Sequence, residues 1–302
     1  MLDRKRSIAR MAMLLVLVVS CGDSRPASPV FPPESPPETP VLGDTWIRPT
    51  DGMEMVYVPG GTWPMGSRDA QIQAAMSSCQ QHPDPYGKCK LDSFQVEAPQ
   101  HTVSLDGFCI DRTEVTNAQY ELCVGEGDCS PSRLAEDSTY NRETFPVAGI
   151  PLQDAADYCG WAGGRLATEA EWEYAARGTE GLLYPWGHKF ECTGGNLGDD
   201  CTGCDDGYPG PSPVGIFPRG ASWCGALDMA GNVWEWVTDT FGKYPAEAQA
   251  EPLGAAEGEL NILRGGSWAY CPAFGRTAFR YAVPPEADYL AVGFRCVVPL
   301  AE

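Results

Sequence analysis

The segment YCGWAGGRLATEAEWEYAARG, residues 158–178, contains the most decisive structural pattern in this sequence. Thr168 and Glu171 have the spacing of a capping box, in which each side chain hydrogen-bonds a backbone N–H at the start of a helix. Apolar residues follow at helical spacing from Trp172, and Gly178 is the residue type that most often ends a helix. The segment therefore predicts a short helix between Thr168 and Gly178.

Two further helices are predicted upstream of this segment. Apolar residues that start at Leu152 recur at helical spacing and stop before Gly163. Thr116 and Gln119 form another capping box, and Gly125 is the first glycine after it. We therefore expect one helix from Leu152 that stops before Gly163, and another from Thr116 that ends before Gly125.

Short stretches with strand-like patterns lie between and before these helices. Met55–Thr62 is a β-like stretch that a turn interrupts. His101–Leu105 and Phe108–Ile110 alternate on either side of Asp106 and Gly107, a dipeptide typical of tight hairpin turns. The pattern therefore predicts two strands joined by a hairpin at this dipeptide.

The composition of the 302 residues fits a globular, loop-rich protein. The 34 glycines and 27 prolines are spread through the chain, which favours an α+β domain of short elements over a helical bundle. Acidic residues outnumber basic ones by 41 to 21. This balance excludes a general nucleic-acid-binding protein, because a phosphate backbone requires a basic surface. Beyond the N-terminus, no apolar stretch reaches the roughly 18–20 residues that span a bilayer.

Residues 1–20 have the pattern of a bacterial lipoprotein signal peptide. Basic residues precede the apolar stretch Met11–Val19, and Ser20 is followed directly by Cys21. This arrangement resembles a lipobox, in which the thiol is acylated and becomes the mature N-terminus. We therefore expect lipid on Cys21. The alternative is an ordinary signal peptide with an incidental cysteine.

Residues 21–44 are rich in proline and contain few core-forming residues. Such a segment is extended and semi-rigid, so we expect a tether between the lipid and a folded domain at residues 45–302. Two or more acyl chains would hold this domain stably at a membrane. The lipid is the only contact with the membrane that the sequence predicts. The predicted location is the cell envelope, and Gly22 rather than aspartate after the lipid cysteine favours the outer membrane.

The cysteine count also points to an oxidising compartment. Twelve of the thirteen cysteines remain when Cys21 is set aside, and an even number in an exported chain predicts up to six disulfides. Cys79 with Cys89 and Cys123 with Cys129 would each close a short local loop. The rest of the connectivity stays open at this point.

A zinc site is the alternative for one group of these residues. His188, Cys192, Cys201 and Cys204 are of the types that bind Zn²⁺ tetrahedrally. Only one Cys-x-x-Cys is present, however, and an oxidising compartment converts free thiols to disulfides. We therefore favour disulfides in this region.

Seven motifs in the body of the chain resemble those of the formylglycine-generating enzyme family, also called the sulfatase-modifying factor family. They occur in the family's order and cover about residues 50–300. The motifs are Met55–Gly66, Asp111–Asn117, Tyr158–Gly178, Tyr184–Gly187, Gly231–Trp236, Arg264–Trp268 and Gly293–Cys296. The resemblance implies a variant C-type lectin fold with little regular secondary structure, disulfides and bound calcium. It also implies a disulfide between Cys159 and Cys296.

The resemblance further implies two Ca²⁺ sites built from side-chain and backbone oxygens, the ligands that this hard cation prefers. The first would use the Asp228 side chain, the carbonyls of Gly231 and Val233, and Glu235. The second would use Asn196, the Leu197 carbonyl, Asp206 and the Tyr208 carbonyl. The alternative is that these acids belong to solvated loops.

The family's oxidase activity uses copper, O₂ and two active-site cysteines downstream of its Arg-Gly-Gly-Ser motif. Tyr270 and Gly275 stand at those two positions in this chain. Because two thiolates are needed to hold Cu(I), the oxidase chemistry is not expected. Trp234 and Ser267, which resemble the family's pocket residues, remain.

Cys271 is the only thiol close to the two substituted positions. It is a candidate catalytic residue only if it forms a thiol pair with a cysteine from another loop, such as Cys224. We favour a structural half-cystine at Cys271 instead.

Two classes of function therefore remain. The first is an envelope lipoprotein whose calcium-stabilised domain binds a protein or peptide partner or acts as a scaffold, without oxidase activity. The second is an oxidase that uses copper and O₂ on a cysteine of a sulfatase, or another oxidation in the same pocket. The missing cysteines at 270 and 275 favour the first class.

Overall fold

Twelve short strands and five α-helices form the regular structure of the residues that the computed structural model describes, 35–81, 87, 89–198, 203–254 and 258–300. The helices are α1 (Asp69–Cys79), α2 (Leu91–Gln95), α3 (Asn117–Glu126), α4 (Leu152–Trp161) and α5 (Glu169–Arg177). The strands are β1 (Thr45–Ile47), β2 (Glu54–Val58), β3 (Gly61–Met65), β4 (His101–Leu105), β5 (Phe108–Asp111), β6 (Arg165–Leu166), β7 (Trp234–Thr240), β8 (Gln249–Ala250), β9 (Asn261–Arg264), β10 (Tyr281–Val283), β11 (Val292–Phe294) and β12 (Cys296–Pro299). None of the described helices is both long and apolar enough to cross a membrane.

The strands form three small sheets. The five-stranded sheet has the order β1-β2-β5-β12-β6, the four-stranded sheet β10-β9-β7-β11, and the three-stranded sheet β3-β4-β8. Most pairs are antiparallel, but β11 runs parallel to β7, and β8 runs parallel to β4. Long loops connect these short elements, so the predicted α+β architecture with little regular structure is confirmed.

The capping boxes place two helices as predicted. Thr168 Oγ1 accepts a hydrogen bond from the Glu171 N–H at 3.1 Å, and the Glu171 carboxylate accepts one from the Thr168 N–H at 2.7 Å. Thr116 caps α3 in the same way. That helix continues past Gly125, however, because it is Gly127 that adopts the left-handed conformation, at φ 90°, and closes the last turn.

The hairpin predicted at Asp106 and Gly107 is wrong. Strands β4 and β5 both exist there, but β4 pairs with β3 and β8, whereas β5 pairs with β2 and β12. All four residues of β5 are buried, as expected for a strand inside a five-stranded sheet, while β4 alternates between buried and more exposed positions. The chain therefore passes from one sheet to another at this dipeptide.

The described residues contain four disulfides with both partners defined. These are Cys79–Cys89, Cys123–Cys129, Cys159–Cys296 and Cys192–Cys204. The two short loops are closed as predicted, and the bridge from α4 to the start of β12 is the one that the family resemblance implies. Cys109 and Cys224 are free thiols, so the upper limit of six disulfides is too high. Both are buried, and they belong to different hydrophobic clusters, which keeps them from pairing.

Candidate functional site

Three loops that carry predicted site residues pack against each other through backbone hydrogen bonds. The Asn232 N–H donates to the Asn196 carbonyl at 2.8 Å, and the Trp268 N–H donates to the Asn232 carbonyl at 2.9 Å. The Gly198 N–H donates to the Tyr270 carbonyl, also at 2.9 Å. We call this arrangement the loop layer, formed by residues 194–198, 228–233 and 265–271. It brings residues of both predicted calcium sets, such as Asn196 and Asp228, close to the segment that carries Ser267 and Tyr270.

The predicted pocket residues Trp234, Ser267 and Tyr270 lie together in the structure. The Tyr270 ring packs edge-on against the Trp234 ring, with 5.3 Å between centroids, and against Phe274 at 5.7 Å. Ser267 is fully buried, and its carbonyl accepts the Tyr270 N–H at 2.9 Å. Tyr281 packs on Trp234 from a second direction, again at 5.3 Å. Aromatic side chains therefore pack against the ring of Tyr270, which stands at the family's first cysteine position.

Gly275, at the second cysteine position, packs closely against Leu197. A Cβ atom built on Gly275 would lie 2.9 Å from both terminal methyl carbons of Leu197. Leu197 is itself buried. A side chain at position 275 would therefore need Leu197 to move.

The cysteines of this region do not provide a thiol pair. Cys271 is buried and disulfide-bonded, which confirms the interpretation as a structural half-cystine. Because Cys271 is held in a disulfide, it is not available for a thiol pair with Cys224, which is a free thiol, and that pairing is wrong. Burial raises the pKa of the Cys109 thiol to about 11 and also raises the pKa of the Cys224 thiol. Both free thiols are therefore protonated at neutral pH.

The first predicted calcium site lies on a strained turn of the loop layer. Asp228 and Asn232 both have positive φ angles, 57° and 56°, with Gly231 at 98° between them. The Asp228 carboxylate is buried and accepts the Gly215 N–H at 2.6 Å. Burial raises the pKa of Asp228 to about 6. Glu235 is engaged inside the protein, because its carboxylate accepts two hydrogen bonds from Arg295, at 2.7 and 2.8 Å.

Glu114 is a further acid at this turn that the sequence did not single out. Its buried carboxylate accepts hydrogen bonds from the Asn232 side chain at 3.0 Å and from the Val233 N–H at 3.3 Å. Burial, and then the charges of Asp228 and Glu235, raise the pKa of Glu114 well above its usual range. Its position inside the motif Asp111–Asn117 was the only available signal.

Asp228, Glu235 and Glu114 each carry carboxylate oxygens, the type of ligand that a hard divalent cation prefers. In the described part of the chain, however, no group of three His, Cys, Asp or Glu side chains is placed to hold a metal ion. A calcium ion here would therefore depend on backbone carbonyls, such as those of Gly231 and Val233.

Two side chains of the second predicted calcium set have hydrogen-bond partners within the protein. Asn196 is buried, and its amide nitrogen donates a hydrogen bond to the Gly210 carbonyl at 2.9 Å. The amide oxygen is the side-chain atom that remains for contact with a metal ion. The Asp206 carboxylate accepts the Tyr208 N–H at 2.8 Å. Amide and carboxylate oxygens are ligand types that Ca²⁺ binds, and the set of Asn196, Leu197, Asp206 and Tyr208 stays a prediction.

The zinc alternative does not hold for the residues that the structure describes. Cys192 and Cys204 are joined in a disulfide, so neither is available as a thiolate ligand. Cys201 lies outside the described residues, and so do Cys21 and the predicted signal peptide.

The fold and the loop layer define a protein of the sulfatase-modifying factor enzyme 1-like domain family. That family's profile matches residues 45–300, and the chain belongs to the family. It is 30% identical to the formylglycine-generating enzyme of Bos taurus, over 82% of this chain and 75% of that protein. It is 37% identical to the inactive C-alpha-formylglycine-generating enzyme 2 of Bos taurus, over 85% of this chain and 92% of that protein. Among solved structures, PvdO from Pseudomonas aeruginosa superimposes with a TM-score of 0.66 and 26% identity, covering 87% of this chain and all of that one.

Proposed function

We propose that this protein is an envelope lipoprotein whose domain binds a protein or peptide partner, or acts as a scaffold, and does not catalyse cysteine oxidation. The observation that carries the proposal is the missing thiol pair. Tyr270 and Gly275 occupy the two positions, and the neighbouring Cys271 is held in a disulfide. Copper-dependent oxidation requires soft thiolate ligands for Cu(I), and these residues do not supply them.

The phenol of Tyr270 is a poor substitute for a thiolate. A tyrosine hydroxyl has a pKa of about 10 and stays protonated at neutral pH, and oxygen is a hard ligand for a soft cation. The ring of Tyr270 also packs against Trp234 and Phe274. These contacts support a structural role for Tyr270, because they give its ring a place among buried aromatic side chains.

The relatives support both the proposal and its alternative. The similarity to a bovine protein named as an inactive formylglycine-generating enzyme favours a non-oxidase member. The similarity to the bovine formylglycine-generating enzyme favours the alternative, an oxidase that uses copper and O₂ on a sulfatase cysteine, or another oxidation in the same pocket. The two free thiols speak against that alternative, because Cys109 and Cys224 are buried in different hydrophobic clusters.

The activity is tested by incubating the purified protein with Cu(I), O₂ and a cysteine-containing sulfatase peptide. The formylglycine-generating enzyme of Bos taurus serves as the positive control. We expect the control to yield an aldehyde, detected by mass spectrometry, and this protein to yield none. An aldehyde product from this protein, lost on heating it beforehand, would refute the proposal and establish the alternative.

Calcium is proposed as the structural cofactor of the domain. Asp228 in the first site, and Asn196 with Asp206 in the second, would supply side-chain oxygens, and nearby carbonyls would complete the coordination. A ligand that binds only the folded state raises the melting temperature. We expect a chelator to lower that temperature and added Ca²⁺ to restore it. Asp228→Ala should reduce the response, while Glu286→Ala, a change at an exposed acid, should leave it intact.

A further inference from the structure

A cavity of about 220 Å³ lies away from the loop layer, beside the start of α5 and the end of β7. Its wall is mainly polar and includes acidic, basic and aromatic side chains. The residues that the following argument uses are Glu169, Ala170, Asp239, Lys243, Tyr244 and Arg280. None of them belongs to the predicted calcium sites or to the aromatic pocket.

Asp239 is a buried carboxylate on the cavity wall that lacks a direct cationic partner. Its exposed fraction is 3%, and its Oδ2 accepts the Glu169 N–H at 2.7 Å. Its Oδ1 has no hydrogen bond from any described residue. Glu169, in contrast, is held by Arg280 through two hydrogen bonds of 2.6 and 2.9 Å, and by Arg264 at 3.2 Å. Among the described residues, Asp239 is thus the acid of this cavity without an ion pair.

Burial and the negative charge of neighbouring Glu169 raise the pKa of Asp239 to about 7. The hydrogen bond from the Glu169 N–H and the positive charge of Arg280 act in the opposite direction and lower this pKa. Glu171, which raises the value further, is itself paired with Arg165. The ionised form of Asp239 is therefore poorly compensated by its surroundings. A cation that enters the cavity would supply the missing compensation.

A second group on the same wall also lacks a partner. The Tyr244 hydroxyl is buried and has no hydrogen bond within the described ranges of the chain. Its ring lies under the Arg280 guanidinium, at 3.9 Å, and beside the His101 ring, at 4.9 Å. Buried hydroxyl groups in folded proteins are nearly always hydrogen-bonded. Tyr244 is therefore a second residue of the cavity wall with a polar group that no described residue satisfies.

The charges around the cavity favour a monovalent organic cation over a metal ion. Arg280 is close to Asp239 and would repel a divalent cation more strongly than a monovalent one. A metal ion would also need several oxygen ligands, whereas an ammonium group needs only acceptors for its three N–H bonds. The apolar side chains of Met65 and Ala170 on the wall suit the carbon chain that carries such a group.

We propose that this cavity binds a ligand that presents a protonated primary amino group, with Asp239 as its counter-ion. The amino group belongs either to a small free amine or to a lysine side chain of a polypeptide. Lys243, an exposed residue at the cavity wall, would oppose a second positive charge on the ligand. The inference goes beyond the proposed function and does not depend on it, because the two sites share no residues.

Binding is tested by calorimetric titration of the full protein with n-butylamine, and with butyrate as the control of opposite charge. We expect saturable binding of n-butylamine and none of butyrate. Asp239→Asn keeps the size of the side chain and removes its charge, so it should weaken the binding of n-butylamine at least tenfold. Asp288→Asn, at a surface acid whose side chain is 44% exposed, should leave the affinity unchanged.

A second variant tests the same charge effect at an exposed position. Lys243→Glu adds negative charge to the cavity wall and should strengthen n-butylamine binding.

The two ligand sources are distinguished with a lysine-containing peptide whose N-terminus is acetylated, compared with the same peptide acetylated on lysine as well. Tighter binding of the first peptide than of n-butylamine identifies a polypeptide ligand, and the reverse order identifies a small amine. Absence of saturable amine binding, equal affinity in Asp239→Asn, or no gain in Lys243→Glu would overturn the proposal.

Discussion

Arg295 and Glu235 form a bidentate ion pair in the protein interior, with neither side chain exposed to solvent. Arg295 lies between β11 and β12, and Glu235 lies in β7. The same guanidinium donates hydrogen bonds to the carbonyls of Asp111 and Leu227, each at 2.9 Å. The pair therefore joins two sheets and fixes the chain immediately before Asp228. The contact to Leu227 thus anchors the start of the 228–233 segment of the loop layer.

Removing the guanidinium should destabilise the protein strongly. Arg295→Ala leaves the Glu235 carboxylate buried without its counter-ion, and loss of one partner of a buried pair costs about 3–5 kcal/mol. Arg133→Ala is the matched control, because it breaks an exposed pair with Asp288, and such pairs contribute about 0–1 kcal/mol. The free energy of unfolding is measured by urea titration. Similar losses in the two variants would contradict the structural role of Arg295.

The disulfides should differ in their contributions according to the loops that they close. Cys159–Cys296 spans 137 residues, and Cys123–Cys129 spans six. The chain-entropy relation gives about 5 kcal/mol for the first and about 2 kcal/mol for the second. Replacing both cysteines by alanine in each bridge, followed by urea unfolding under non-reducing conditions, measures the two values. An equal loss of stability in the two double variants would show that loop entropy does not determine the difference.

Local signals in the sequence predicted local structure well. The capping boxes at Thr116 and Thr168 marked the starts of α3 and α5, because the interacting groups lie within three residues of each other. The hairpin at Asp106 failed for the opposite reason. Alternation identifies a strand but not its partner, and the partners of β4 and β5 come from segments far away in the chain.

The candidate site was predictable only where motifs marked it. The Arg264–Trp268 motif located Tyr270 and Gly275 at the family's two cysteine positions, so the absence of the thiol pair could be predicted from the sequence. The importance of Glu114 was not, because it arises from burial beside Asp228, a residue more than a hundred positions away. The Cys159–Cys296 bridge came from the family resemblance and not from the cysteine spacing.

Cys21 should determine where the protein resides in the cell. If the thiol carries lipid, Cys21→Ala should move the protein from the membrane fraction to the soluble fraction of the envelope, since the acyl chains are the expected anchor. Cell fractionation followed by immunoblotting measures the change. Cys109→Ala, at a buried free thiol of the folded domain, is the control and should leave the distribution unaltered. A membrane-bound Cys21→Ala variant would contradict the lipid anchor.

Asp239 should make the stability of the domain fall as the pH rises towards neutrality. Its pKa is about 7 in the folded protein and about 4 in an unfolded chain, so the folded state binds the additional proton between these values. Stability linked to this proton is present below about pH 4 and is lost as the pH passes through 7. Asp239→Asn removes this dependence. The variant should therefore gain stability relative to the wild type at pH 8, and gain much less at pH 5.

Urea unfolding of both proteins at pH 5 and pH 8 measures this difference directly. Asp288→Asn provides the control, because the Asp288 side chain is 44% exposed and its removal should have nearly the same effect at both pH values. The comparison isolates one carboxyl group, since all other titrating groups are common to the variant and the wild type. A stability difference between Asp239→Asn and the wild type that stays constant from pH 5 to pH 8 would show that Asp239 ionises normally in the folded protein. In that case its burial beside Glu169 would be compensated by groups other than those that contact it here.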